Sequence, residues 1–260
     1  MSEHPRHPSP AHRSEEASKK GPKQRLRTFM REWVVPIGAT VLVLGTFRSA
    51  VADWLHVPTG SMLPSIVEGD RIFVNKMAYD VRVPFTRISV SRRDEPEAGE
   101  VVLVRSPEEE GTRLVKRVIG VPGDQIAVRD GRLIRNGAEV PLEPTGWNEL
   151  QGELGDRFTG KFRLSVETLG ESRHPVLSRA ASAGTTRWRA MALENDFGPV
   201  LVPEESYFVM GDNRDLSRDS RAFGFVERSA FLGRVVGIAF SLDPERHGLP
   251  RMDRIALTVP

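Results

Sequence analysis

The sequence predicts a mainly β protein with a single apolar helix near its N-terminus, on three observations. Short runs of β-branched residues recur between turn residues, with 19 Pro and 23 Gly spread along 260 residues. Asp130-Gly131 and Asn136-Gly137, dipeptides of the strongest hairpin type, interrupt alternating stretches between Gln125 and Val140. Only one long run, Trp33–Phe47, is free of charge. At 39% hydrophobic and 28% charged the chain can bury a real core, which excludes a disordered protein. A net charge of +2, with no cluster of aromatic and basic residues, speaks against a nucleic-acid partner. The absence of Cys excludes disulfides, thiolate catalysis and Cys-ligated metals, and leaves the compartment open.

Residues 1–32 read as a disordered basic tail: Lys19, Lys20, Lys23, Arg25, Arg27 and Arg31 follow one another with no acid between them. The apolar run after it would make a helix of about 22 Å, short of the roughly 30 Å of a hydrocarbon core. Extending the segment to Leu55, with Arg48 snorkelling, gives a membrane anchor over 33–55. A buried core helix and a cleaved signal peptide are the alternatives, the latter because Ala50-Val51-Ala52 has the small-x-small form of a processing site. The flanking charge decides against the core helix. Basic residues before the run, and Asp53, Glu68 and Asp70 after it, predict a cytoplasmic N-terminus and a body on the outer side of the membrane.

Strands are expected at 71–75, 101–105 and 113–120, then a hairpin over 125–140, and strands again at 207–210 and 234–240, the last of the chain. Residues 141–200 are richer in Gly, Arg and Glu with weak periodicity, and read as an inserted smaller subdomain. The insert would divide the β body into a first part, 56–140, and a second, 201–260.

Two positions carry candidate chemistry. Ser61 lies in Pro58-Thr-Gly-Ser-Met-Leu-Pro-Ser65, where Gly60 permits a tight bend, and where a hydroxyl and backbone N–H groups beside a nucleophile can donate to an oxyanion. By itself the octapeptide also reads as an ordinary turn. A serine needs a base. In the strand 113–120 the period of two puts Lys116 on the more apolar face with Leu114 and Val118, and burial there favours a neutral amine able to act as a general base. A strand lysine that snorkels to solvent is the plain alternative. The six His, at 4, 7, 12, 56, 174 and 247, offer no metal-ligand or base spacing, and His56 has no evident orienting partner. The loop 211–221 is dense in Asp, Asn, Ser and Arg; it lacks the acid spacing of a calcium site and reads as an internally paired Asp–Arg scaffold or a solvated turn.

Five stretches in this order resemble the bacterial type I signal peptidases: Pro58-Thr-Gly-Ser-Met-Leu-Pro64, Gly69-Asp-Arg-Ile-Phe-Val74, Gly99-Glu-Val-Val-Leu-Val104, Lys116-Arg-Val-Ile-Gly-Val-Pro-Gly-Asp124 and Gly211-Asp-Asn-Arg-Asp-Leu-Ser-Arg-Asp-Ser-Arg221. The resemblance implies an antiparallel β catalytic body behind a retained anchor, and a membrane-bound endopeptidase that cuts signal peptides from exported preproteins after small residues, in sites of the Ala-x-Ala type. It implies Ser61 as nucleophile and Lys116 as base, with Thr59 and the Ser61 N–H as oxyanion donors; Thr59 stands where the family often has Ser. Ser217 would bond the lysine, and Asp219 and Arg221 would support it. Met62, Ile66, Ile72, Leu114 and Val115 would line shallow substrate pockets. Preproteins and the lipid bilayer are the expected partners, with no cofactor, metal or nucleic acid. It also makes self-cleavage after Ala50-Val51-Ala52 an expectation to test. Another Ser–Lys peptidase, or an inactive membrane-tethered relative, is the alternative.

Overall fold

The computed structural model describes residues 22–86, 88–145, 162–179, 196–244 and 246–260. The chain divides into a helical unit, Met1–Gly45, and a β-rich unit, Thr46–Pro260. Helix α1 (Pro22–Phe29) opens on Pro, whose missing N–H is no loss at a first helical position, and continues in Lys, Gln, Arg and Leu, all good helix formers. Through a short π segment (Met30–Val34) it runs into α2 (Val35–Ala50), none of whose residues is buried. The apolar helix Leu26–Ala50 has 25 residues, about 37 Å of rise, and so exceeds a bilayer core.

Two expected boundaries move here. The tail is helical from Pro22, not irregular to residue 32; residues 1–21 lie outside the described residues. The helix stops at Ala50 rather than Leu55, because the next residues form strand β1 (Ala52–His56), paired with β2 (Asp70–Asn75) in the register Ala52↔Asn75 and Asp53↔Val74. Ala52 and Asp53 are both buried, and Asp53 binds Arg48 Nε at 2.8 Å and Lys76 Nζ at 3.2 Å. The bond after Ala50-Val51-Ala52 is therefore folded into the sheet.

The body is a curled antiparallel sheet. Besides β1 and β2 it uses β5 (Val101–Arg105), β6 (Arg113–Gly120), β14 (Ser206–Met210), β15 (Val226–Glu227) and the long β16 (Phe231–Asp243), in the order β1-β2-β16-β5-β6-β14-β15. Strand β16 pairs with both β2 and β5, and its register slips three times, the bulges by which a strand turns a sheet corner. It is not the last strand: β17 (Leu249–Pro250) and β18 (Leu257–Thr258) both pair with it. Strand β5 is buried on two faces. Val101 and Leu103 join Val57, Met62, Ile66, Ile72 and Val74, while Val102 and Val104 join Tyr79, Val118, Tyr207 and Phe231. Truncating a side chain as enclosed as Ile66 to Ala costs about 2–5 kcal/mol.

A hairpin of β3 (Asp80–Arg82) and β4 (Ser89–Arg92) stands apart from this sheet. Strands β7 (Gln125–Arg129), β8 (Arg132–Arg135) and β9 (Ala138–Glu139) form a second sheet, and β10 (Leu142–Thr145), β11 (Phe162–Leu169) and β12 (Ser172–Arg179) a third. The expected insert is thus smaller than 141–200. Its far end, β13 (Phe197–Leu201), adds to β7 and belongs with the hairpins before it.

Candidate active site

Ser61 sits on a single 3₁₀ turn, Gly60–Met62, entered from Thr59 in extended backbone. The turn is held from below by packing: Met62 and Ile66 are 1% and 0% exposed and lie in the cluster with Ile72 and Leu103. It is held from the side by hydrogen bonds. The Asn213 backbone N–H donates to Ser61 O at 3.1 Å, its side-chain Nδ2 donates to Gly60 O at 3.1 Å, and Ser65 Oγ donates to Asp212. Gly211 is needed for this approach, since a Cβ there would stand 2.3 Å from Ser61 O.

Lys116 reaches the turn from β6, and its Nζ donates to Ser61 Oγ at 2.8 Å, across 55 positions of sequence. The lysine is 3% exposed. Burial lowers its pKa to about 8, against the opposing pull of the Asp219 and Asp212 carboxylates, with the Arg221 guanidinium adding to the fall. The alternative of a snorkelling lysine is excluded.

The polar loop supports this pair from two sides. Asp219 caps α3 (Ser220–Phe223), takes a bidentate bond from Arg221 at 2.9 and 2.9 Å and accepts from Gly211 N at 3.1 Å. Burial favours its neutral acid, yet Arg221 and these donors hold its carboxyl below the usual range. Arg221 also donates to Arg214 O at 2.6 Å, closing the loop on itself. The expected internal Asp–Arg scaffold holds at Asp219–Arg221, while Asp212 and Arg214 pair outside the loop. Asp212 takes both arms of Arg117, the β6 neighbour of Lys116, at 2.8 and 2.7 Å with neither side chain exposed. Arg214 is clamped by Glu167 of β11, and its backbone N–H donates to Leu177 O of β12 at 2.8 Å.

The remaining expected residues divide. Ser217 is in the loop, with its oxygen buried against Gly211 and facing the Asp219 carboxylate rather than bonded to Lys116. Thr59 is exposed and its hydroxyl caps nothing. Met62, Ile66 and Ile72 are core, with Val115 half-buried beside them; Leu114 packs into the cluster on the opposite face of β6, so the five do not line one surface. Sequence reasoning missed Asn213 and Arg117 as supports of the turn. Both stood inside quoted motifs, and no local signal says what either touches.

A model of the family described as signal peptidase, peptidase S26, matches residues 30–240. The chain belongs to that family. This signal peptidase family member is a serine peptidase and hence a hydrolase. It is 32% identical over 237 residues to signal peptidase I of Pseudomonas aeruginosa, covering 85% of this chain and 76% of that one. With signal peptidase I of Rickettsia typhi it shares 35% over 208 residues, covering 75% and 74%. A solved signal peptidase I from Enterococcus faecalis is 28% identical over 55% of this chain and 97% of its own, with a TM-score of 0.32.

Proposed function

We propose that this signal peptidase is a membrane-bound Ser–Lys endopeptidase that removes signal peptides from exported preproteins after small residues. The observation that carries the reading is the 2.8 Å contact between Lys116 Nζ and Ser61 Oγ, made by a lysine whose burial brings a neutral amine within reach of physiological pH. The neutral amine takes the Ser61 proton as Oγ bonds to the scissile carbonyl carbon, and the oxyanion is held by backbone N–H groups of the Ser61 turn and the Thr59 hydroxyl. The lysine then protonates the departing amine nitrogen, which frees the mature protein and leaves an acyl-serine. Water, losing its proton to the same amine, attacks the ester and returns Ser61 to its hydroxyl. Asp219 and Arg221 act on this pair through charge and position. Ser217 joins it if substrate turns its hydroxyl towards the lysine.

The helix Leu26–Ala50 anchors the enzyme, with the basic tail in the cytoplasm and the β body on the outer side of the membrane. Residues 56–140 and 201–260 form the catalytic body and the sheet of β10–β12 its inserted part. The test is cleavage of a preprotein with an Ala-x-Ala site in liposomes, with the product's N-terminus sequenced. Wild type should cut after the second Ala, and Ser61→Ala and Lys116→Ala should each lose at least about 10³-fold while keeping the wild-type circular dichroism. A folded Lys116→Ala that retains activity would sink the dyad.

A further inference from the structure

The sheet β10–β12 supplies no group to the chemistry above, yet its hairpin sends polar side chains into the buried ground behind Lys116. Glu167 of β11 and His174 of β12 stand directly opposite each other, 2% and 0% exposed. Glu167 takes both arms of Arg214, at 2.9 and 2.5 Å, and His174 Nε2 stands 3.3 Å from the same carboxylate. The other ring nitrogen, Nδ1, is 3.2 Å from Ser172 Oγ, which lies 3.4 Å from Arg117 Nη1. Arg117 in turn holds Asp212. The main chain follows the same course: Leu177 N–H donates to Asp212 O at 2.9 Å and Arg214 N–H to Leu177 O at 2.8 Å, so the loop runs briefly parallel to β12. Phe162 and Leu177 also pack with Leu63 and Val67, on the chain that leaves the Ser61 turn.

This ring is charge-balanced. Two guanidinium groups face two carboxylates, and burial lowers the pKa of the His174 imidazole. Burial favours the neutral acid of Glu167, yet Arg214 and His174 hold its carboxyl down to about 2. The balance bears on the lysine, because Asp212 and Asp219 are the other carboxylates that act on Arg214, and the same two favour the Lys116 ammonium. Without Glu167, the buried Arg214 cation would compete for them. That competition and the uncompensated positive charge would both weaken the hold of Lys116 on its proton. The Arg214 carbonyl also accepts from Arg221, so a displaced Arg214 disturbs the partner of Asp219. We propose that Glu167 is a positioning residue for the Ser61–Lys116 pair: it holds Arg214 on the inserted sheet, which leaves Asp212 and Asp219 to their own partners and fixes the loop against the Ser61 turn. The inference rests on the reading of Lys116 as the base.

The experiment follows kcat and KM against pH for cleavage of an Ala-x-Ala preprotein by the full chain in phosphatidylcholine vesicles. Glu167→Gln should move the acid limb to lower pH by about half a pH unit and cut kcat by about ten-fold, with KM within about two-fold, since a side chain this buried acts on the dyad and not on substrate. Glu167→Asp keeps the charge and should leave the limb in place. Arg214→Met removes the cation and should move the limb upward. Glu167→Leu combined with Arg214→Met replaces a whole buried pair by apolar groups, a change that folds tolerate, and should return the limb to its wild-type position. If Glu167→Gln does not fold, Arg214→Met against the double variant reads the same charge effect. A wild-type limb in folded Glu167→Gln, with only the denaturant midpoint lowered, overturns the proposal and leaves a clamp of stability alone. So does a double variant whose limb is displaced as far as that of either single variant. Lys116→Ala keeps the two readings apart: cleavage retained there defeats the dyad, while its loss beside an unmoved limb in Glu167→Gln defeats only the positioning role.

Discussion

The stretches 125–140 and 211–221 are both rich in turn residues, and they are folded by opposite means. In the first, turn chemistry is local. Asp130-Gly131 and Asn136-Gly137 all take positive φ, from 50° to 79°, the backbone that two-residue hairpins require, and β7, β8 and β9 zip up on either side. Its cross-strand ion pair, Arg132–Glu139 at 3.0 Å, is more than half exposed at both ends. In the second, the shape comes from afar. Asn213 bonds Gly60 across 153 positions, Asp212 bonds Arg117 across 95 and Arg214 bonds Glu167 across 47. These charges are buried. A stretch organised by its own turns tolerates loss of a charge, whereas one organised by buried distant partners does not.

The contrast is broken most directly at Asp212. Asp212→Asn leaves the Arg117 guanidinium fully buried without its carboxylate, and removal of one member of a buried pair costs about 3–5 kcal/mol. The denaturant midpoint should fall accordingly, and cleavage with it, since Asp212 also accepts from Ser65 just past the nucleophile. A loss below about 1 kcal/mol would mean that the loop is held by its backbone bonds to Ser61 and Leu177 rather than by charge.

The same contrast explains what could be read in advance. Strands β5 and β6 have the bounds that their β-branched runs predict, and both hairpin turns fall on their Asn-Gly and Asp-Gly pairs, because these features depend on neighbours in sequence. Ser61 and Lys116 stood out through motif and period, and the fold brings them into contact. Arg117 was invisible as a support, since alternation says only which face it takes and not that Asp212 waits there. The Ser217 hydroxyl was expected on the lysine, but its direction depends on how closely Gly211 packs against Ser61, a tertiary distance. The helix came out longer than its uncharged run because Leu26, Phe29 and Met30 lie between the arginines of the basic block and continue the apolar helix backward.

Lys116 sharpens the comparison with a smaller effect of opposite sign. A buried ammonium with a depressed pKa is a burden on the fold, so Lys116→Met should abolish cleavage and yet raise stability at neutral pH by roughly 1–3 kcal/mol. In wild type, stability contributed by this group should increase as pH rises from about 8 to 10, because over that window the unfolded chain still holds the proton that the folded chain has released. Cleavage by wild type should show an acid limb near pH 8. In Asp219→Asn the limb should move lower, since the carboxylate that favours the ammonium is gone. An unmoved limb would assign it to another group.

The smallest effects belong to the hairpins. Gly137→Ala puts a Cβ on a residue at φ 79° with no neighbouring atom in its way, so the loss is backbone strain alone, about 1 kcal/mol. Arg132→Ala removes one end of an exposed pair and should shift the midpoint by less than about 0.5 kcal/mol. Neither should change kcat/KM on a preprotein, because Gly137 stands at an open turn and Arg132 is engaged with Glu139 rather than with the Ser61 turn. A loss of activity from Arg132→Ala with unchanged stability would break the contrast from its quiet side, since a surface charge in a locally folded hairpin would then be reading the substrate.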